Sequence, residues 1–107
     1  MRESKREEYR ILTKLRNGQI AIPGIIRDLI PLQKSSEVTV AIRPGTNQIT
    51  IRRYEEPNQE NRVVINSRGA LWLPVEIKNI LDINEEDLFA VNVNHREREI
   101  VLSLLDD

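Results

Sequence analysis

Three cations near the start of the chain could hold a polyanion. Arg10, Lys14 and Arg16 stand an even number of residues apart in a run that ends at a turn. In an extended strand even spacing sends side chains to one face. Lys and Arg on such a face neutralise phosphates and release counterions, so binding is salt-dependent and blind to base sequence. Arg27 and the N-terminal Lys5 and Arg6 can join them. Gln19, directly after a turn glycine, adds an amide of the kind that reads base edges. Arg68 and Lys78 offer the same chemistry but stand in the half of the chain where acidic residues predominate. The plain alternative for every one of these cations is a solvated charged surface.

Catalytic chemistry finds no residues to carry it. There is no Ser-His-Asp or Cys-His set, no glycine-rich phosphate loop and no histidine cluster. His95 is the one histidine, set in a turn, and cysteine is absent. Glu85-Glu86-Asp87 reads as the exit of a helix, not as an acid/base pair. The chain is therefore expected to be a non-enzymatic binding module, with no metal, cofactor or small-molecule substrate. Trp72, the single tryptophan, falls on the strand face opposite Leu71 and Leu73. It either covers the neighbouring unit or anchors a protein partner, a role in which Trp is enriched.

The 107 residues suit one compact domain, with 39% hydrophobic and 31% charged residues. No apolar run is long enough to span a bilayer, and Met1–Glu8 has no apolar stretch like that of a signal peptide. With no disulfide or thiolate site possible, a cytoplasmic protein without membrane attachment is expected. The net charge of −1 conceals a polarity. Residues 1–54 hold 11 Lys/Arg against 5 Asp/Glu, a balance of +6; residues 55–107 hold 5 against 12, a balance of −7. Such asymmetry points to a polyanion on the basic part, or to pairing with the acidic half of a neighbour.

The elements that must position these residues come in duplicate. A shift of 51 residues lays Gly18 on Gly69, Pro23 on Pro74, and Ile26-Arg27 on Ile77-Lys78 without an insertion. The same shift lays Val38, Val40 and Ile42 on Phe89, Val91 and Val93. Each copy reads as a strand (about 11–16 and 63–67), a turn, and a second strand (19–22 and 70–73). A short helix follows, opened by Pro23 or Pro74 at its first position. Ile26, Leu29 and Ile30, and likewise Ile77, Ile80 and Leu81, share one helical face. Pro31 stops the first helix. Two alternating strands close each unit, Val38–Ile42 with Gln48–Arg53 and Phe89–Val93 with Glu99–Leu104. The expected organisation is one domain, 1–107, with repeat one at about 9–54, a polar linker at 55–61, and repeat two at about 62–105. Neither unit can bury a core alone, so the two must share one.

The stretch Asn17-Gly18-Gln19-Ile20-Ala21-Ile22-Pro23, followed by Ile26-Arg27 and a hairpin, resembles the swapped-hairpin AbrB/SpoVT family. Arg68-Gly69-Ala70-Leu71-Trp72-Leu73-Pro74 through Leu81-Asp82-Ile83 resembles it again, so the likeness spans about Ile11 to Leu104. Members are prokaryotic-type regulators and MazE-type antitoxins that bind DNA. MraZ-type members carry two copies in one chain and form rings on DNA. The resemblance implies a mainly β fold with two short helices, a swapped-hairpin barrel formed by the two fused repeats. It also implies transcription regulation through double-stranded DNA, at Arg10, Lys14, Arg16, Gln19, Arg27, Arg68 and Lys78. The chain departs from the family's basic positions: the first strand offers Leu12 and Val63, and Gln19 or Ala70 follows the turn glycine. The helix pair reads Arg27-Asp28 and Lys78-Asn79. An alternative is therefore a protein-interaction or self-assembly module that has lost DNA binding, with Trp72 as its contact.

Overall fold

The computed structural model describes residues 11–29, 37–54 and 61–105. Ten elements follow in order: β1 (Ile11–Lys14), β2 (Gln19–Ala21), α1 (Gly24–Leu29), β3 (Glu37–Ile42) and β4 (Gln48–Arg53). The second copy supplies β5 (Asn61–Val64), β6 (Ala70–Trp72), α2 (Val75–Leu81), β7 (Leu88–Asn94) and β8 (Glu99–Leu104). The fold is mainly β with two helices. Six strands form one antiparallel sheet in the order β1-β7-β8-β4-β3-β5, and β2 and β6 form a separate two-stranded ribbon.

The pairing runs between copies. The first strand of each copy lies against the hairpin of the other, β1 on β7 and β5 on β3. The hairpins meet along β4 and β8, where Thr50 faces Val101. In the ribbon Ile20 faces Leu71. Both pairs join positions 51 residues apart, so they mark the points through which a pseudo-two-fold axis passes.

One apolar cluster results. Val38, Val40, Ile49 and Ile51 from the first hairpin and Phe89, Val91, Ile100 and Leu102 from the second are buried in it together. Ile20, Ile22, Leu71 and Leu73, in and just after the ribbon strands, join the cluster, as do Ile26 and Ile77 from the helices. The four hairpin strands β3, β4, β7 and β8 contribute alternate residues, as period-two patterning requires. The other face of the sheet carries the smaller side chains Thr39, Thr50, Ala90 and Val101, which are also buried but lie outside the cluster.

Four expectations need correction. The sheet is open, not a barrel: β1 and β5 stand at its two edges, and no strand pairing among the described residues joins them. The tight turns after the first strands send the chain into the ribbon, which packs over the sheet instead of extending its ladder. Secondly, Pro74 is the N-cap and not the first helical residue of α2. Its φ of −57° and ψ of 138° are extended, and its carbonyl accepts from Ile77 and Lys78 at 3.1 Å each. The carbonyl of Pro23 serves α1 in the same way.

Thirdly, the helices bury less than their spacing suggests. Ile26 and Ile77 are buried, whereas Leu29 and Ile80 are 49% and 70% exposed. Helices of 6 and 7 residues reach the core by about one turn, and later positions run past its edge. Leu81 is partly buried against the cluster. Asp82 ends α2 in the left-handed conformation, with φ 55°. Ile30 and Pro31 lie outside the described residues, as does the linker up to residue 60; Asn61 already belongs to β5.

The fourth correction concerns the repeat itself. Leu12 faces Ala90, so a uniform shift of 51 would set Val63 opposite Thr39. Instead Val63 faces Val38, and Arg62 faces Thr39. A one-residue slip moves every side chain to the other face. Keeping the uniform shift would have put Asn66 where Leu15 is buried; the slip puts Ile65 there. The turn of the second copy absorbs the extra residue. In copy one Arg16 and Gln19 exchange hydrogen bonds at 2.9 Å around Asn17-Gly18, both at positive φ, a two-residue hairpin turn. In copy two the turn is Ser67-Arg68-Gly69, with positive φ at Gly69 alone.

Candidate nucleic-acid interface

The β2–β6 ribbon has Arg27 and Arg68 at one end and Arg16 at the other. Ile20 and Leu71 point inward. Gln19 and Trp72, cross-strand partners, belong to the opposite parity together with Ala21 and Ala70. Each ribbon strand runs on to bond the turn of the other copy. The Ile22 N–H donates to the Gly69 carbonyl at 2.8 Å, and the Leu73 N–H to the Gly18 carbonyl at 3.0 Å. The ribbon therefore has two ends, each built from a turn of one copy and a helix start of the other.

At the Gly69 end, Arg27 reaches the turn that carries Arg68. The Arg27 guanidinium lies directly over Gly69, so close that a Cβ there would stand 2.7 Å from its Cζ and Nε. Arg27 Nε donates to the Ile22 carbonyl at 3.1 Å, which fixes the side chain along the ribbon. Arg68 is exposed on the turn. Among the described residues neither makes an ion pair. The Arg27 guanidinium over Gly69 and the exposed Arg68 on the same turn put two positive charges at this end of the ribbon, of a kind suited to phosphate oxygens.

At the Gly18 end the cations are answered by carboxylates. Lys14 Nζ lies 3.2 Å from Glu86 Oε1, and Arg16 Nε lies 4.0 Å from Glu86 Oε2. Glu85 accepts from the backbone N–H groups of Asn17 at 2.7 Å and Gly18 at 2.9 Å. These pairs are solvent-exposed and of small energy. Their effect is on potential: they cancel much of the positive charge that the first strand contributes. Lys78, the counterpart of Arg27, is half-buried on α2. Arg10 lies outside the described residues.

Trp72 occupies the place on Gly18 that Arg27 takes on Gly69. A Cβ on Gly18 would meet the indole at 2.9 Å, yet the side chain remains 62% exposed. Trp72 thus covers the turn of the other copy while its outer face is exposed.

Sequence reasoning missed Glu85 and Glu86 as partners of the first turn, and Arg62 as the structural counterpart of Leu12. Arg62 Cζ sits 4.8 Å from the Tyr54 ring centroid, and its Nη1 is 3.9 Å from Glu37. An available signal was that Glu85-Glu86-Asp87 falls on Lys34-Ser35-Ser36, a charge reversal between copies. Among the described residues no group of His, Cys, Asp and Glu could hold a metal ion, and no helix is long and apolar enough to cross a membrane. Comparison with protein-family models and with curated proteins finds no match for this chain.

Proposed function

We propose that this chain is a DNA-binding transcriptional regulator of the AbrB/SpoVT type, a single-chain pseudo-dimer with swapped hairpins. The observation that carries this reading is the β2–β6 ribbon, where Arg27 of one copy reaches the turn that bears Arg68 of the other, with Gln19 beside Trp72 at the opposite end. Each turn and each helix adds one cation, Arg16 and Arg68 on the turns, Arg27 and Lys78 on the helices. The pairing of β1 with β7 and β5 with β3 supports the swapped-hairpin part of the reading. In this reading the protein acts in the cytoplasm, needs no cofactor and performs no covalent chemistry. Phosphate contacts supply affinity, and Gln19 supplies an amide for base edges.

Fluorescence anisotropy of a labelled random duplex over a salt series tests it. With four cations on phosphates, log affinity falls against log salt with a slope of roughly −4. Absence of binding to any duplex at low salt rejects the reading.

A second reading has its own support. Glu86 already holds Lys14 and Arg16, and Ile25, Trp72 and Ile80 are 65%, 62% and 70% exposed. These features suit a protein-interaction or assembly module. Light scattering at low and high salt tests its assembly form, since a monomer under both conditions excludes self-association.

A further inference from the structure

We infer that the two halves of the ribbon face are different half-sites, so that the DNA this protein selects is non-palindromic. The inference rests on the DNA-binding reading and deepens it. A symmetric dimer meets the same groups at each half-site, which is why operator symmetry mirrors protein symmetry. Here the scaffold keeps the axis, through Ile20 and Leu71, while the exposed chemistry on either side of it differs.

Positions related by the axis pair unlike groups. Ala21 stands where Trp72 does, Gln19 where Ala70 does, and Arg27 where Lys78 does. Because Ala21 is small, Gly69 is left for the Arg27 guanidinium to cover; at the other end the indole covers Gly18. The turns differ in length, and one is held by Glu85 while Asn66 Oδ1 caps the other, accepting from Arg68 and Ala70 at 2.8 and 3.1 Å. Charge differs as well, since Lys14 and Arg16 meet Glu86 whereas Arg27 and Arg68 have no carboxylate within ion-pair distance among the described residues. One half thus presents Arg27 and Arg68 with no answering carboxylate among the described residues, and guanidiniums fork onto phosphates and onto guanine O6 and N7. The other presents an aromatic face beside an amide, with its charge largely cancelled, a surface for apolar contact and stacking.

The test is selection by the intact protein from a randomised duplex library at low salt, followed by titration of the enriched site. The expected result is a sequence without two-fold symmetry. Two inverted repeats, each built from one half of that site, should bind at least about tenfold more weakly, since a mismatched position typically costs about that much. Trp72→Ala should relax the preference in one half only, Trp72→Phe should retain it, and Trp72 fluorescence should change on binding. An enriched palindrome, or an inverted repeat that binds as tightly as the selected site, overturns the inference while leaving DNA binding intact. No enrichment and no binding at all removes the DNA-binding reading itself, and this inference with it.

Discussion

Replacing Phe89 by alanine is expected to lower the stability of the whole chain by about 3–5 kcal/mol. Phe89 is fully buried, the largest side chain in the cluster, and it stands on β7, a strand of the second copy paired with β1 of the first. Its removal opens a cavity bounded by residues of both copies, which cannot collapse without moving the β1–β7 ladder. A domain of this size has about 5–15 kcal/mol in total, so the loss takes a large fraction of it. Chemical denaturation reads the effect as a lower midpoint with an unchanged slope. A loss below about 1 kcal/mol would mean that Phe89 is not where the two copies meet.

The second large effect concerns binding. Arg27→Ala with Arg68→Ala should weaken duplex binding on the order of a hundredfold, at roughly tenfold for each lost contact. The salt slope should become shallower by about two. Lys14→Ala is expected to do less, because Glu86 already answers its charge. Removing that carboxylate by Glu86→Gln should strengthen binding instead. Anisotropy titrations at two salt concentrations distinguish these outcomes. If Lys14→Ala proves more damaging than the double arginine variant, DNA lies on the first strand and not across the Gly69 end of the ribbon.

Much of this architecture is legible in the amino-acid order. The alternation of Val38, Val40 and Ile42, and of Phe89, Val91 and Val93, places the hairpin faces correctly, because a half-buried strand leaves a period-two imprint. Leu71-Trp72-Leu73 likewise gives the inward and outward sides of the ribbon. The slip in the repeat is hidden, for a definite reason. Val63, Val64 and Ile65 are three consecutive apolar residues, so their parity is lost, and only packing reveals that Ile65 is buried while Val64 is 58% exposed.

The surroundings of the candidate site are hidden for another reason. Glu85 reaches Asn17 across 68 residues of sequence, and Arg27 settles on a glycine of the other copy. Contacts of that separation depend on how the copies are set against each other. No local pattern records them. The neutralised end and the basic end of the ribbon therefore emerge only from the fold, and they reverse the order of importance that charge counting along the chain suggests. The helix faces fail for a third reason: Leu29 and Ile80 fit the helical period, but the helices are too short to carry them onto the core.

All of this depends on both copies closing a single apolar centre. Equilibrium denaturation followed by two probes tests it most directly: Trp72 fluorescence, which reports on the ribbon where this residue lies against Gly18 of the first copy, and far-ultraviolet circular dichroism, which reports on the entire backbone. Coincident transitions with one midpoint are predicted, because neither copy retains a core once the other is lost. Separate midpoints, with Trp72 responding before or after the remainder of the chain, would show two independent bodies and contradict the shared core.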